Sequence, residues 1–504
     1  MQALRSRILL MVWGIAAGLS LAAAEKPALA PIKPLFRVVD LDVGETGEVT
    51  LVNGRKVALR VLRLDEQRDP LRDAVRRATV TLTVDGQRAT LVCATYHLPQ
   101  TVGHVQLDCP VTRGYTTRSS KQNVWALEKD VRLRLCPAGS PWIRPGTFGY
   151  PVNQRWFASD TQMANDPCYV NACDVPGEKA VYYHYGLDFG GAEGLVSVQA
   201  ATDGVVVSRG GKLLPGDYPP QVQPRGDVVY LRDARGWYYR YSHLQRIASD
   251  VKLGDRVRRG AQIGTLGKEG GSGGWSHLHF DITMPQPSGR YGITDGYAFI
   301  FQAYREQHHP ALLAVARPHE VTWINEPVTL DASRSWQVEG PEHLRQFEWR
   351  FCDGTTARGA KVERRYPKPG HYSEVVKVTD DAGHVSYDIA VVQVFDPAHP
   401  LPVPPAIHVA FWPTLDLRPG QEITFKARTF AVRADEGEEV WDFGDGSPPA
   451  RTRSDGNTVM HAPDGYAVLT HRYSKPGAYI VTVRRVNDRG EPAIGRVWLE
   501  VGQP

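Results

Sequence analysis

The sequence predicts a mainly β, multidomain protein, and three observations support this prediction. Short runs alternate apolar and polar residues with the two-residue period of strands, as in Val-Ala-Leu-Arg-Val-Leu at residues 57–62. Glycine and proline, at 48 and 37 copies, separate these runs as turn residues do. The length of 504 residues exceeds what one hydrophobic core usually serves, and one strand–turn pattern recurs in the C-terminal half. We therefore expect several antiparallel β domains in series.

The first 24 residues have the organisation of a secretory signal peptide. Arg5 and Arg7 precede an apolar stretch at 8–21, and three alanines at 22–24 offer a cleavage site. The apolar stretch is shorter than the roughly 20 residues that span a bilayer, although an uncleaved anchor is the alternative. We expect a secreted or periplasmic (cell-envelope) protein with no transmembrane segment after cleavage, and a proline-rich linker at 25–35.

Residues 36–137 are predicted to form an N-terminal β domain. The strand-like runs 49–52 and 57–62 flank Asn53-Gly54, a dipeptide that favours a tight hairpin turn. Further strand-like runs occupy 78–84, 88–94 and 131–135. These runs predict an antiparallel sheet structure of about a hundred residues.

Cysteine usage suits an oxidising compartment. The six cysteines are Cys93, Cys109, Cys136, Cys168, Cys173 and Cys352. Their spacing does not match a zinc ribbon. A bond between Cys93 and Cys109 would join neighbouring strands, and one between Cys168 and Cys173 would close a small loop, but the sequence does not fix either pairing.

Residues 138–312 contain histidines and an aspartate in segments typical of strands and turns. His184 and Asp188 are four residues apart, and Gly186 between them disfavours a helix. A flat strand would hold the two side chains roughly 13 Å apart, so we expect the backbone to curl at Gly186. His277 and His279 would face the same side of a strand, about 6.6 Å apart. A helix is predicted after the sheet, at 295–312.

These residue types suit a catalytic metal site. A catalytic zinc ion takes three protein ligands and keeps a fourth position open. His184, Asp188 and one histidine of the 277/279 pair would supply three ligands. The other histidine of that pair, and His243 in the Tyr-Ser-His-Leu segment at 241–244, would be free to move protons or stabilise an oxyanion.

In the order and context of these motifs, residues 145–281 resemble the lysostaphin-like, LytM-type (β-lytic) zinc endopeptidases, family 23 of the metallopeptidases. The resemblance includes the runs 198–206, 226–230 and 251–264. It implies an antiparallel sheet of the duplicated hybrid motif type and one Zn²⁺ per chain. It further implies the zinc ligands His184, Asp188 and His279 and the catalytic pair His243 and His277. The implied reaction is attack of a zinc-bound water on peptide bonds of bacterial cell-wall peptidoglycan.

Two positions depart from the family pattern. Trp275-Ser276 stands where Gly-Pro or a similar pair is usual, and Asp281 stands where Glu is common. We expect these changes to alter the cleft and its specificity more than the chemistry. Trp275 is a candidate for the substrate cleft, as are Tyr239 and Tyr241, which alternation places on the face of His243.

The C-terminal half contains two related segments, predicted at 317–397 and 405–503. Each has an aromatic pair at i, i+2 in a strand, an Asp-Gly turn, and a Pro-Gly before another strand. Both resemble PKD domains, the second more closely, and so predict two Ig-like β-sandwiches. In secreted hydrolases, such domains act as spacers or bind polymers.

Partners and alternatives follow from composition and from the resemblance. A net charge of +4 without a basic run disfavours nucleic acid and suits peptidoglycan or another cell-wall polymer. Two other functions stay open: a non-catalytic LytM-like wall-binding or regulatory protein, and a secreted protease for Gly-rich proteins. The N-terminal domain is a spacer, a wall-binding module or a cover for the active site, and the oligomeric state is open.

Overall fold

The computed structural model describes residues 31–93, 96–117, 119, 123–156, 162–163, 167–169, 181–217 and 222–502, with backbone alone at 162–163 and 167–169. Strands dominate these ranges, so the predicted mainly β class is confirmed. The predicted signal peptide lies outside them. Among the helices of the described ranges, none is long and apolar enough to cross a membrane.

The N-terminal module is formed by two four-stranded sheets. Its elements are β1 Arg37–Leu41, β2 Thr46–Thr50, β3 Lys56–Arg68, β4 Val75–Val84, β5 Gln87–Cys93, β6 Gln100–Val102, β7 Val105–Thr112, α1 Gly114–Thr117 and β8 Val131–Pro137. The sheet orders are β1-β8-β7-β6 and β2-β3-β4-β5. The predicted Asn53-Gly54 hairpin connects β2 to β3, where Thr50 pairs with Lys56 and Gly54 has φ 85°.

Cysteines in this module are free thiols. Cys93 at the end of β5 and Cys109 in β7 are both buried, and their side chains share a hydrogen bond. Burial, followed by the contact with Cys109, holds the pKa of Cys93 well above its usual value. The disulfide suggested for Cys93 and Cys109 is therefore not formed in the structure, and the two residues lie on strands of different sheets. The suggested Cys168–Cys173 pairing lies outside the residues described with side chains.

The central module has one large sheet and one small sheet. Its elements are β9 Gln162–Met163, β10 Pro167–Tyr169, β11 Val181–Tyr183, β12 Leu187–Gly190, β13 Ser197–Gln199, β14 Gly204–Arg209, β15 Lys212–Leu213, β16 Val229–Arg232, β17 Tyr238–Ser242, β18 Leu244–Ile247, β19 Arg256–Val257, β20 Gln262–Leu266, β21 His277–Pro285, β22 Tyr291–Thr294 and α2 Tyr297–His308. The large sheet runs β15-β14-β16-β17-β21-β12-β9, with β19 and β22 at its sides, and the small sheet runs β13-β20-β18. Strand β21 therefore lies at the centre, between β17 and β12. Strands β10 and β11 form a separate two-stranded ribbon.

One face of the large sheet packs on α2, which is the predicted helix. Leu278, Phe280 and Ile282 of β21 are almost fully buried on this face. The ring of Phe148 lies 6.3 Å from both Phe280 and Phe299 of α2, measured between centroids. Because side chains alternate along a strand, His277, His279 and Asp281 lie on the opposite face. The core thus fixes which face of β21 carries the polar side chains.

The N-terminal and central modules share a core. Val181 and Tyr183 of β11 are buried among the apolar side chains of the N-terminal module. The backbone N–H of Val75 donates to the Tyr183 hydroxyl at 2.8 Å, and the Tyr115 ring lies 5.0 Å from the Tyr183 ring. The strand that leads to His184 is therefore anchored by the N-terminal module.

Two β-sandwich modules complete the chain. The third contains β23 Leu312–Leu313, β24 Glu320–Trp323, β25 Val328–Asp331, β26 Trp336–Gln337, a 3₁₀ turn Pro341–His343, β27 Leu344–Arg350, β28 Thr356–Arg358, β29 Lys361–Arg364, β30 Gly370–Asp380 and β31 Val385–Phe395. The fourth contains β32 Ala406–Trp412, β33 Ile423–Phe430, β34 Glu439–Asp442, β35 Ala450–Thr452, β36 Ala467–His471, β37 Gly477–Val486 and β38 Pro492–Val501. Leu312, Ala314 and Ala316 belong to the core of the third module, around Trp349. That module thus begins before residue 317, where the sequence analysis placed its start.

The third and fourth modules meet edge to edge. His371 of β30 pairs in parallel with Ala493 of β38, so one sheet continues across both modules. The fourth module closes its own core around Trp441 with the sheet β32-β33-β36 on the other side.

Candidate metal centre and active site

A sharp turn brings His184 and Asp188 together. His184 lies between the end of β11 and the start of β12, and Gly186 in this turn has φ 100°. A Cβ at Gly186 would lie 2.6 Å from the Phe280 carbonyl oxygen, so the turn needs glycine for its conformation and for space. The predicted curl at Gly186 is confirmed. On the neighbouring strand, Asp188 pairs with His279.

Three side-chain atoms converge at this point. His184 Nε2 lies 2.9 Å from His279 Nδ1 and 3.1 Å from Asp188 Oδ1, and His279 Nδ1 lies 3.0 Å from Asp188 Oδ1. Ligand atoms about 2.0–2.1 Å from a tetrahedral ion lie about 3.3 Å apart, so the observed spacings fit such an ion closely. His184 Nδ1 is buried without a hydrogen-bond partner among the described residues. His184, Asp188 and His279 could therefore hold a divalent metal.

The carboxylates fix the charge and orientation of this cluster. Burial would raise the pKa of Asp188, but attraction to His184 and His277 and hydrogen bonds from His184 and His279 hold it well below its usual value. His279 Nε2 contacts Asp281 Oδ2 at 3.2 Å, so its Nδ1 points into the cluster. Burial would lower the pKa of His279, yet the hydrogen bonds to Asp188 and Asp281 raise it. A carboxylate behind a ligating histidine is the usual support of a metal ligand.

The other two histidines lie beside this cluster. The rings of His243 and His277 are 4.6 Å apart, and His277 Nε2 is 3.5 Å from Asp188 Oδ2. His243 Nδ1 bonds to the Glu269 carbonyl at 2.6 Å, and His277 Nδ1 bonds to the Trp275 carbonyl at 3.1 Å. Since a carbonyl oxygen only accepts, each Nδ1 donates and each Nε2 stays available in the neutral ring. Burial is the main cause that lowers the pKa of both rings.

The backbone of His243 has the left-handed conformation, which sets the position of its side chain. Its φ is 67°, and it separates β17 from β18. Asp227 stabilises this conformation, because its Oδ2 accepts the His243 backbone N–H at 3.0 Å. Arg225 holds Asp227 in turn through two hydrogen bonds of 3.0 and 2.7 Å.

The prediction that Tyr239 and Tyr241 line the cleft is wrong. Both are fully buried on the face of β17 that packs on the core, where they pair with Ile282 and Phe280 of β21. Their hydroxyls bond to Asp233 and to the Ala201 backbone N–H, both at 2.8 Å. Simple alternation failed because the left-handed conformation of His243 ends the strand period.

Trp275 does lie beside the cluster. Its ring stacks on His277 with 3.7 Å between centroids and an interplanar angle of 17°, and it is half-buried. The ring thus covers one side of the His277 imidazole.

The sequence analysis assigned no role in the site to Asp227 and Arg240, and it expected Asp281 to affect the cleft rather than to support His279. Arg240 Nη1 lies 3.6 Å from Asp281 Oδ2, which neutralises the carboxylate behind His279. A signal for Asp281 existed, because it is two residues after His279 and so shares its face of the strand. Asp227 gave no such signal, since it acts on His243 from 16 residues away.

The arrangement combines a place for a Lewis acid with two neutral imidazoles. All five side chains are buried, with exposed fractions from 2% for Asp188 to 7% for His279. The His277 ring lies 4.6 Å from the His243 ring, and its Nε2 lies 3.5 Å from Asp188 Oδ2, so both bases are close to the cluster of possible metal ligands. Such a site suits hydrolysis.

Comparisons with known proteins find a peptidase family in the region that contains this site. The family model for peptidase family M23 matches residues 182–289, and PKD domain models match 309–394 and 409–493. Over 101 residues the chain is 37% identical to the peptidoglycan DD-endopeptidase ShyC of Vibrio cholerae serotype O1. That match covers 20% of this chain and 20% of the relative, so the likeness spans about a fifth of each protein.

Solved structures show weaker likeness. Helicobacter pylori Csd3 is 20% identical, with 52% of this chain and 58% of that chain covered and a TM-score of 0.20. A carbohydrate-binding module of the β-sandwich superfamily is 15% identical, with 38% and 93% covered and a TM-score of 0.17. These scores are too low to bear on activity. The family models thus identify a region similar to peptidase family M23 in the central module and two PKD domains after it.

Proposed function

We propose that this protein is a zinc-dependent endopeptidase of the bacterial cell envelope that hydrolyses peptide bonds in peptidoglycan. The observation that carries the proposal is the convergence of His184, Asp188 and His279 within about 3 Å of one another, beside two neutral imidazoles. The match of residues 182–289 to a peptidase family supports hydrolysis, and the similarity to ShyC supports peptidoglycan as the substrate.

Each residue has a role in this proposal. His184, Asp188 and His279 would hold the zinc ion, and Asp281 keeps His279 Nδ1 directed at it. Zinc, when bound, supplies Lewis acidity that polarises a carbonyl and acidifies water.

The unprotonated Nε2 atoms of His243 and His277 are the bases of the site. Their Nδ1 protons are tied to backbone carbonyls, so a proton taken from water is received at Nε2. The resulting imidazolium would stabilise negative charge on the carbonyl oxygen and then give its proton to the leaving amine. Asp188, 3.5 Å from His277 Nε2, favours that imidazolium.

The proposal is tested by the release of new amino groups from purified peptidoglycan by the wild type and by His277→Ala. We expect the variant to keep its zinc and to lose roughly 100-fold or more in kcat, because general acid–base catalysis contributes about 10²–10⁴-fold. His399→Ala, which removes an exposed histidine of the linker before the fourth module, should behave as wild type.

Two outcomes would redirect the proposal. Zinc-loaded wild type that releases no amino groups from peptidoglycan or from Gly-rich proteins would indicate a binding or regulatory protein. Release of amino groups from Gly-rich proteins but not from peptidoglycan would show that the substrate is a protein and not the cell wall.

A further inference from the structure

Both candidate catalytic imidazoles depend on one loop, residues 268–276, which ends where β21 begins. The loop accepts the Nδ1 proton of His243 at the Glu269 carbonyl and that of His277 at the Trp275 carbonyl, at 2.6 and 3.1 Å. It also supplies the Trp275 ring that stacks on His277. The orientation and tautomer of both histidines are therefore set by the backbone position of this loop.

The loop has few internal constraints. Four of its nine residues are glycine, and Gly270, Gly273 and Gly274 have φ of 63°, 71° and 89°. Glycine-rich backbone loses more conformational entropy on ordering than any other, so a loop of this composition needs contacts from outside to stay in one conformation. Inside the loop, Ser272 Oγ bonds to the Lys268 carbonyl and accepts the Gly274 N–H.

The fourth module, the second PKD domain, provides those outside contacts. Four of its side chains bond to backbone atoms of the loop. The Tyr466 hydroxyl accepts the Ser276 N–H at 2.7 Å, and Arg428 Nη1 donates to the Gly274 carbonyl at 2.6 Å. Asn457 Nδ2 donates to the Gly273 carbonyl at 3.1 Å, and His461 Nε2 contacts the Gly270 carbonyl at 2.9 Å. The contacts are spread along the loop from its start to the residue before His277.

Two of these side chains are held rigidly. Arg428 has no exposed surface, and its Nε and Nη2 bond to the two carboxylate oxygens of Asp455 at 2.8 and 2.6 Å. Tyr466 is buried, and its hydroxyl lies 2.8 Å from His408 Nδ1. Burial lowers the pKa of His408 to about 3, so its ring is neutral and can accept the hydroxyl proton. The loop is thus bonded to fixed groups rather than to mobile surface side chains.

Further contacts fix the domain against the central module. Lys426 Nζ donates to the Glu193 carbonyl at 2.8 Å, and the Glu193 carboxylate forms a buried ion pair with Lys268, the first residue of the loop. On another side, the Arg155 guanidinium lies 3.6 Å from the centroid of the Trp498 ring. The second PKD domain therefore contacts the central module outside the loop as well.

We propose that the second PKD domain is a positioning element of the peptidase site, which holds the 268–276 loop, and through it His243 and His277, by the side chains of Tyr466, Arg428, Asn457 and His461. Tyr466 makes the contact nearest in sequence to His277, because the buried Ser276 N–H that its hydroxyl accepts belongs to the residue directly before His277. The effect on turnover rests on the proposed function, whereas the effect on the loop does not.

The test compares Tyr466→Phe with Tyr473→Phe in the full chain. Tyr473 is a buried tyrosine of the same domain whose hydroxyl donates to the Phe443 carbonyl at 3.0 Å, away from the loop. Both variants lose one buried hydroxyl, so their stability losses are matched. We expect Tyr466→Phe to lower kcat on the order of tenfold, as loss of an outer support of a site does, with KM and zinc content unchanged.

Amide hydrogen exchange is the second readout. Peptides that contain residues 268–276 should exchange at least about tenfold faster in Tyr466→Phe than in wild type or Tyr473→Phe, because the Ser276 N–H loses its acceptor. Equal exchange in the two variants, or equal kcat with an active wild type, would overturn the positioning role. If wild type hydrolyses nothing, the proposed function fails, and the exchange comparison alone decides whether the domain holds the loop.

Discussion

At the scale of single residues, Asp281 decides how firmly His279 is held. It accepts from His279 Nε2 at 3.2 Å and lies 3.6 Å from Arg240, so removing it frees the imidazole to rotate. We expect Asp281→Ala to weaken zinc binding by about 10–100-fold, measured by competition with a chelator. Asp281→Asn keeps an acceptor oxygen, so we expect its zinc affinity to lie between those of wild type and Asp281→Ala. Unchanged affinity in Asp281→Ala would show that the carboxylate has no part in orienting His279.

Gly186 is the residue on which the geometry of the ligand pair depends. Gly186→Ala would place a Cβ 2.6 Å from the Phe280 carbonyl oxygen. The alanine would also have to adopt the φ of 100° that Gly186 has. Gly289 is a matched control, since its φ is 78° but a Cβ there would meet open space.

We expect Gly289→Ala to cost about 1 kcal/mol or slightly more from backbone strain alone, with zinc binding intact. Gly186→Ala should in addition lose most of its zinc affinity, because the clash separates His184 from Asp188. Thermal unfolding and zinc titration of both variants measure the two effects. Equal zinc affinity in the two variants would contradict this role of Gly186.

The sequence identifies the candidate metal ligands more readily than the residues that hold the histidines in position. The turn at Gly186 and the shared face of His277 and His279 follow from local rules of glycine and strand period, and the structure has both. The roles of the ligands come from the family pattern and stay proposals. Asp227 could not be found, because the bond it makes to the His243 backbone depends on a non-local turn.

At the scale of elements, β17 shows the limit of alternation. The sequence places Tyr239 and Tyr241 on the face of His243, but φ 67° at His243 reverses the direction of its side chain. The face of β17 is instead set by its pairing with β21, where Ser242 is opposite His279. Strand period is therefore reliable within an element and fails at the residue that ends it.

The junction of β30 with β38 should be sensitive to acid. His371 is buried at this junction, and burial lowers its pKa to about 4, against about 6.5 in an unfolded chain. A histidine with a lowered pKa favours folding in its neutral form. Its contribution is thus present above pH 6.5 and is lost as the pH falls toward 4.

When the pH falls from 7 to 5, the free energy of unfolding should decrease less in His371→Gln than in wild type. We expect the two decreases to differ by on the order of 2 kcal/mol. Chemical denaturation of the full chain at both pH values gives the difference. His399→Gln, at an exposed site, should keep the wild-type dependence. An equal pH dependence in His371→Gln and wild type would show that His371 does not titrate on unfolding.

At the scale of the whole molecule, the modules are parts of one structure. Val181 and Tyr183 use the N-terminal module as their core, and the second PKD domain bonds to the loop before His277. The sequence predicts the mainly β class of the modules from strand periodicity and turn residues. It could not predict these contacts, since Ser276 and Tyr466 are separated by 190 positions and a hydrogen bond between them has no sequence pattern.

This organisation bears on the role of the N-terminal module. Deleting it would expose Val181 and Tyr183 and leave the Tyr183 hydroxyl without Val75, just before His184. Loss of activity on deletion would thus follow from the lost packing around Val181 and Tyr183, whether or not the module also covers the active site. Point variants on its surface are the better test of wall binding.

The central claim is that His184, Asp188 and His279 bind the zinc ion on which hydrolysis depends. The most direct measurement is zinc content together with amine release from peptidoglycan, for wild type, His279→Ala and the exposed-site control His399→Ala. We expect about one zinc per chain and activity in wild type and His399→Ala, and neither in His279→Ala. Amine release by a zinc-free His279→Ala at the wild-type rate, or absence of zinc from the metal-replete wild type, would contradict it.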